Sequence, residues 1–137
     1  MKIAAIESLA GLPAFAAYFA AALVLLGAFV VVYLWITPYP EIKLIREGNT
    51  AASASLSGAI IGFVLPLTSA IENSVSLGDM LIWSLIALLV QLLAYFLVHR
   101  MLPHLPRDVA DGKLASGVFL GATAISFGLL SAACMSY

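Results

Sequence analysis

The stretch GNTAASASLSGAIIGFVLPLTSAI, Gly48–Ile71, contains no Asp, Glu, Lys or Arg and consists mainly of small and apolar residues. An α-helix needs about 20 predominantly apolar residues to cross the hydrocarbon core of a bilayer. Three other runs of about that length or longer also lack these charged residues: Ser8–Pro40, Met80–His99 and Leu114–Tyr137. The sequence therefore predicts an all-α membrane protein with four transmembrane helices.

The composition excludes several other classes of protein. Hydrophobic residues make up 64% of the 137-residue chain and charged residues 9%, whereas soluble domains carry roughly 25% charged residues. The net charge of −1 does not indicate the basic surface that nucleic-acid binding requires. The single cysteine excludes an intramolecular disulfide, and no His/Cys cluster indicates a metal site. We expect no cofactor and no enzymatic activity, since no nucleophile–base pair or carboxylate pair is evident.

Proline and capping residues define the predicted helix ends. Within a single transmembrane domain, 1–137, we expect helices over residues 13–37, 49–71, 78–100 and 113–136. Pro13 suits a first helical turn, and Pro38 and Pro40 end the first helix because the residue before a proline avoids the helical region. Asn49 is a suitable N-cap for the second helix. The amphipathic link EIKLIREG, residues 41–48, is expected to form one or two helical turns at the interface.

Basic residues are divided unevenly between the two sides of the predicted bundle. The 1–2 and 3–4 links carry five and the opposite side carries one: Lys43, Arg46, Arg100, Arg107 and Lys113 against Lys2. Cytoplasmic loops of membrane proteins are enriched in Lys and Arg. We therefore expect both links in the cytoplasm, and both termini and the 72–79 loop outside.

The second and fourth predicted helices also align with each other at an offset of 63 residues. The alignment places Ala52 on Ala115, Ser53 on Ser116 and Gly58 on Gly121. A real repeat would make the chain a tandem pair of two-helix hairpins, with repeats at 13–71 and 76–136, related by an axis along the membrane normal. The alternative is chance matching among small residues.

Three segments of the chain together resemble the YjfL-like family of bacterial inner-membrane proteins, which is defined by a domain of unknown function: IREGNTAASASLSGAIIGFVLPLTSAIENSVS, QLLAYFLV and GVFLGATAISFGLLSAACMSY. The most specific motifs are NTAAS at Asn49–Ser53, the Gly58, Gly62 and Pro66 series, and AACM at Ala132–Met135. The resemblance implies a multi-pass protein of the bacterial inner (plasma) membrane without an established activity. It also implies partners among membrane-stress proteins of the phage-shock type, near which members are often encoded.

Small residues form a face on the second and on the fourth predicted helix. The members of these faces that we select for helix packing are Gly58, Gly62, Gly117, Gly121 and Gly128. Glycines spaced i, i+4 let two helix backbones approach closely in a membrane. The contact is either packing within one chain or the interface of a homo-oligomer. In either case we expect the second and fourth helices to be the inner pair.

Polar residues inside the crossings offer a candidate path: Thr50, Ser53, Ser57, Pro66, Thr68, Ser69 and Gln91. The hydroxyls either bond back to a carbonyl of the preceding turn or line a hydrophilic route. Pro66 frees one carbonyl, which a neighbour must satisfy in a membrane. Gln91 is either an interhelical hydrogen-bond donor, worth about 0.6 kcal/mol, or a solute ligand. We expect hydroxyls of the second helix to be its partners.

The 72–79 loop carries Glu72, Asn73 and Asp79, which either gather cations at an outer mouth or are simply solvated. Two functions from different classes remain. The first is a membrane-embedded structural or partner-binding component, homo-oligomeric and surrounded by lipid. The alternative is an uncoupled channel or transporter for an ion or small solute. Proton-driven transport is disfavoured because no Asp, Glu or His lies in the middle of a predicted crossing.

Overall fold

The structure, a computed structural model, describes residues 2–135. Over that range the chain forms α-helices and no β-strand. The helices are α1 (Lys2–Leu9), α2 (Leu12–Ile36), α3 (Glu41–Arg46), α4 (Thr50–Asn73), α5 (Leu77–Met101), α6 (Leu105–Ala110) and α7 (Leu114–Cys134). Four spans are long and apolar enough to cross a membrane: α1 with α2, then α4, α5 and α7. The predicted fold class is confirmed.

The ends of the long helices follow local signals. Pro13 lies in the first turn of α2, where its missing N–H breaks no hydrogen bond. Asn49 caps α4 by accepting a hydrogen bond of 3.0 Å from the backbone N–H of Ala52, as predicted. Ser76 caps α5 in the same way, through a bond of 3.1 Å from the N–H of Asp79. Each cap satisfies a donor that the helix itself leaves free.

Helices α2, α4, α5 and α7 begin and end within a few residues of the expected helices, although the first span also includes α1. Two short helices, α1 and α6, were not predicted. The amphipathic link forms α3, as expected. The links also contain α6, and α1 forms the first part of the first span. Helix α7 extends to Cys134; the expected extension to Ser136 lies outside the described residues.

Both links use the same device to turn the chain back into the membrane. Gly48 and Gly112, which follow α3 and α6, have φ values of 86° and 80°, a left-handed conformation that glycine adopts without steric cost. The Asn49 side chain donates to the Val109 carbonyl oxygen at 2.9 Å, so both links lie at one end of the bundle. We call that end the link side and the opposite end, with the 72–79 loop, the loop side. The tandem repeat of hairpins stays a prediction.

Helix α4 is the centre of the bundle and α2 its least buried span. The rings of Phe29 on α2 and Phe63 on α4 stack with centroids 4.5 Å apart, and both side chains are fully buried. The outer surface consists of large apolar side chains such as Val24, Leu89 and Leu93, which suits contact with lipid. Helix α7 packs closely on α4, but it exposes about as much of its surface as α5 does. The expected inner pair is therefore correct only for α4.

A methyl group added between α4 and α7 should destabilise the fold. A Cβ atom at Gly128 would overlap the Gly62 backbone, whereas one at Gly27 on α2 would meet nothing within 4 Å. We expect Gly128→Ala to lower the free energy of unfolding by about 1–3 kcal/mol, as overpacking does. Gly27→Ala is the control and should be neutral or stabilising, because alanine favours helix. Thermal unfolding in detergent micelles measures both, and equal melting temperatures would refute the tight contact.

Candidate functional site

The five selected glycines lie at the contact between α4 and α7 within one chain. A Cβ atom at Gly121 would come within 2.6 Å of the Ala54 carbonyl oxygen, and one at Gly58 would overlap the Gly121 backbone. Gly117 meets Ala51 in the same way, and Gly128 meets Gly62. The two helices therefore touch backbone to backbone along much of their length.

Gln91 lies beside this contact and closes it on the α5 side. Its side chain is 1% exposed, and its Nε2 donates to the Gly62 carbonyl oxygen at 2.9 Å and to the Ala124 carbonyl oxygen at 3.1 Å. Gly62 is four residues before Pro66, so its carbonyl is the one that the proline leaves without an intrahelical N–H. The expectation that a neighbour satisfies this carbonyl is confirmed. The expected hydroxyl partners are wrong, because Gln91 bonds two backbone carbonyls instead.

The candidate polar path does not converge on Gln91. Thr50, Ser57 and Thr68 are exposed on the outer face of α4, and Ser53 is half-buried there. Ser69 is buried, and its hydroxyl donates to the Ala132 carbonyl oxygen on α7 at 2.9 Å. Ser69 therefore joins α4 to α7, while the other hydroxyls form a stripe on the outside of the chain.

That stripe borders a groove of about 280 Å³ between α4 and α7. We call it the α4–α7 groove; it is lined by Ala54, Ser57, Gly58, Ile61, Val118, Gly121, Ala122 and Ile125. Most of these side chains are small. Gly58 and Gly121, which allow the backbone contact, also keep the groove shallow. Two helix surfaces of one chain thus form a continuous face suited to close approach by another helix.

Two of the three residues of the candidate outer mouth make local hydrogen bonds. Asn73 donates from Nδ2 to the Ser69 carbonyl oxygen at 2.9 Å, which ends α4. Asp79 accepts a bond of 3.3 Å from the Val75 backbone N–H, which orders the loop before α5. Glu72 is exposed. Among residues 2–135 no three His, Cys, Asp or Glu side chains lie close enough to hold a metal ion.

A buried polar cluster on the link side was not predicted. Glu41, the first residue of α3, is 1% exposed. Tyr33 and Tyr39 are buried beside it, and Tyr95 of α5 contacts Tyr33 edge-on with ring centroids 5.8 Å apart. Neither carboxylate oxygen of Glu41, nor the hydroxyl of Tyr33 or Tyr39, has a hydrogen-bond partner among the described residues. We call Glu41, Tyr33, Tyr39 and Tyr95 the link-side cluster.

Burial raises the pKa of Glu41 to about 7, and the nearby Tyr39 phenol partly offsets that rise. Burial also raises the pKa of Tyr39 well above its usual range, and the Glu41 carboxylate adds to that rise. The sequence signal for the cluster was weak: the proline-flanked Tyr39 and the following Glu41 occupy a link, where charges are normally solvated. The tyrosines fitted an interfacial aromatic belt equally well.

Comparison with known proteins identifies the family. Residues 7–135 match the family model described as Domain of Unknown Function (DUF350), and the chain belongs to that family. It is 40% identical over 124 residues to the UPF0719 inner membrane protein YjfL of Escherichia coli (strain K12), covering 90% of this chain and 94% of that protein. It is 28% identical over 93 residues to the UPF0719 transmembrane protein YshE of Bacillus subtilis (strain 168), covering 68% and 69% respectively. No solved structure matches the chain.

The role of Gln91 can be tested by restoring the hydrogen bond that Pro66 removes. Gln91→Met keeps the length of the side chain but leaves the Gly62 carbonyl unsatisfied, so we expect a loss of about 1–2 kcal/mol in the free energy of unfolding. In a Pro66→Ala background the helix can supply its own N–H to Gly62. The same Gln91→Met change should then have a smaller effect.

A double-mutant cycle followed by denaturant unfolding in micelles measures this coupling. Leu89→Met, on the exposed face of α5, is the control for introducing methionine and should have little effect in either background. Equal losses for Gln91→Met with and without Pro66 would show that the amide does not act through the Gly62 carbonyl.

Proposed function

We propose that this member of the DUF350 family is a membrane-embedded structural component that binds other membrane helices, first of all those of a second copy, through the outer face of α4 and the α4–α7 groove. The observation that carries the proposal is the position of the hydroxyl stripe. Thr50, Ser57 and Thr68 point away from the chain's own core. We also infer a non-enzymatic role.

The chemistry of this face favours a protein neighbour over lipid. Thr68 satisfies its hydroxyl by donating to the Leu65 carbonyl oxygen at 2.7 Å. The hydroxyl of Ser57 has no hydrogen-bond partner within the described chain. A polar group without a partner in hydrocarbon is costly, whereas serine and threonine on a neighbouring helix can hydrogen-bond across an interface. A second copy offers the same stripe, so a two-fold contact would be self-complementary.

The family resemblance extends the proposal to protein partners. Such a partner would be a membrane-stress protein of the phage-shock type, and the exposed α4 face would be its docking surface. This extension rests on what the family resemblance implies, and the outward hydroxyl stripe supplies a surface for it.

The second candidate function is an uncoupled channel or small-solute transporter. The same hydroxyl stripe favours it if several copies surround a common path. The contact between α4 and α7 closes the interior of one chain. A path would therefore run between copies and would be lined by Thr50, Ser53 and Ser57. Gln91 would not line it, because its side chain is 1% exposed and its Nε2 donates to the Gly62 and Ala124 carbonyl oxygens.

The assembly proposal predicts cross-linking through the stripe. In a Cys134→Ala chain, Ser57→Cys should form an oxidised dimer in membranes, since two copies of the stripe would face each other. Leu89→Cys is the matched control, because Leu89 is exposed on α5 away from the stripe, and it should remain monomeric. Non-reducing gel electrophoresis after mild oxidation measures both.

Equal cross-linking of the two variants would contradict the proposed face. Flux measurements on liposomes that contain the purified chain distinguish the channel alternative from the structural role. Flux that Ser57→Leu blocks would favour a path between copies, whereas cross-linking without flux across a panel of ions and small solutes would favour the structural role.

We further propose that the links lie in the cytoplasm and both termini in the periplasm, because basic residues concentrate on the link side. Cys134 is exposed at the loop-side end of α7. In spheroplasts, a membrane-impermeant maleimide should therefore label the native chain. Lys43→Cys in a Cys134→Ala chain should be labelled only after the membrane is permeabilised. The reverse pattern would invert the proposed topology.

A further inference from the structure

The link-side cluster contains more unsatisfied polar atoms than any other part of the described chain. Both carboxylate oxygens of Glu41 and the hydroxyls of Tyr33 and Tyr39 are buried without hydrogen-bond partners. An ionised carboxylate buried in this way loses several kcal/mol of hydration, which the nearby Tyr39 phenol replaces only in part. Such a group is therefore expected to be neutralised by a bound positive species.

No basic side chain provides that neutralisation. Lys43 and Arg46 of α3 are both exposed, and the one ion pair among the described residues joins Lys113 to Asp108 at the other link. Helix α4 presents Ser55 to this region, whose hydroxyl already donates to the Ala52 carbonyl oxygen at 3.0 Å. The remaining positive species are a proton and a small cation.

The groups around Glu41 suit a proton. Tyr33 of α2, Tyr39 of the link and Tyr95 of α5 lie within electrostatic range of the carboxylate. On α5, His99 is half-buried and stacks on the Tyr95 ring with centroids 6.1 Å apart. A neutral carboxyl group has one O–H to donate and one carbonyl oxygen to accept. Two phenols, each able to donate and accept, can satisfy both groups directly or through water.

Water can reach the surface beside the buried cluster. A depression of about 160 Å³ adjoins the start of α3, lined by Leu34, Tyr39, Pro40, Glu41, Ile42 and Lys43. Because Ile42 and Lys43 are exposed, this depression leads from the link-side surface to the cluster. A proton can therefore exchange between Glu41 and the aqueous phase on that side.

We propose that Glu41, with the phenols of Tyr33 and Tyr39, forms a proton-binding site on the link side, and that loss of the proton loosens α3 from the bundle. Glu41 is the first residue of α3, so hydration of its carboxylate would require that end of the short helix to move outward. The position of α3 at the surface would then depend on the pH of the aqueous compartment on the link side.

Infrared spectroscopy of the full chain in lipid nanodiscs tests the protonation directly. The wild type should show the C=O band of a protonated carboxylic acid at pH 6, and the band should disappear as the pH rises through about 7. Glu41→Gln should lack the band, whereas Glu47→Gln, which changes an exposed glutamate of the same link, should keep it. If Glu41→Gln does not fold, ¹³C-glutamate labelling of the wild type assigns the band to a glutamate, and the other three glutamates are exposed.

Two outcomes would overturn the proposal. One is a wild type whose glutamates are all ionised down to pH 5. The other is a band that Na⁺ or K⁺ abolishes at constant pH, which would make the cluster a cation site instead.

The pH dependence of stability is an independent test. Its direction follows from the difference between the pKa of Glu41 in the folded chain and its ordinary value. The pKa of Glu41 is higher in the folded chain than its ordinary value of 4.5, so the folded state binds the proton more tightly. This contribution to stability is complete below about pH 4.5 and is lost as the pH rises through about 7. The melting temperature of the wild type should therefore fall relative to that of Glu41→Gln over this range. Parallel profiles of the two proteins would contradict the proposal.

The movement of α3 has its own test. In a Cys134→Ala, Lys43→Cys chain, a spin label on α3 should become more mobile between pH 6 and pH 8. The same label in a chain that also carries Glu41→Gln should show no change across this range. A label whose mobility does not depend on pH in the first chain would refute the loosening of α3.

Discussion

The direct contact between the backbones of α4 and α7 determines the rest of the arrangement. Where Gly58 meets Gly121 and Gly62 meets Gly128, a side chain on either helix would hold the two apart. In lipid this contact gains nothing from the hydrophobic effect, so it depends on dispersion and on the carbonyls that the close approach brings together. Gln91 reaches two of those carbonyls at once only because α4 and α7 lie so near each other.

Pro66 and Gln91 illustrate how a membrane chain satisfies an imperfect helix. In water the Gly62 carbonyl freed by the proline would be hydrated, but hydrocarbon offers no donor. The amide of α5 replaces the lost N–H from outside the helix, and α4 continues through Pro66 to Asn73. A single polar residue thus joins three spans, which explains why the one amide at the middle of a crossing is buried.

The sequence determined the spans well because their signals are local. Charge-free runs, prolines and the Asn49 cap each act within a few residues, so α2, α4, α5 and α7 were predictable. The partners of Gln91 depend on contacts with residues 29 and 33 positions away, and no local pattern encodes such contacts. The burial of Glu41 was not predicted for the same reason: a charge in a link normally lies in water, and only the packing of Tyr33, Tyr39 and Tyr95 around it reveals its burial.

The polar groups along α4 form two sets, one on its inner face and one on its outer face. On its inner face the glycines contact α7, and the Ser69 hydroxyl donates to the Ala132 carbonyl oxygen. The Gln91 amide of α5 donates to the Gly62 carbonyl oxygen on this face. Its outer face leaves Thr50 and Ser57 exposed, so recognition of another helix or passage of a solute would take place outside the single chain. The link-side cluster lies near the start of this same helix, where Tyr39 interacts with Ser55. A change in the charge of Glu41 would therefore act on the end of α4 from which the outward stripe begins.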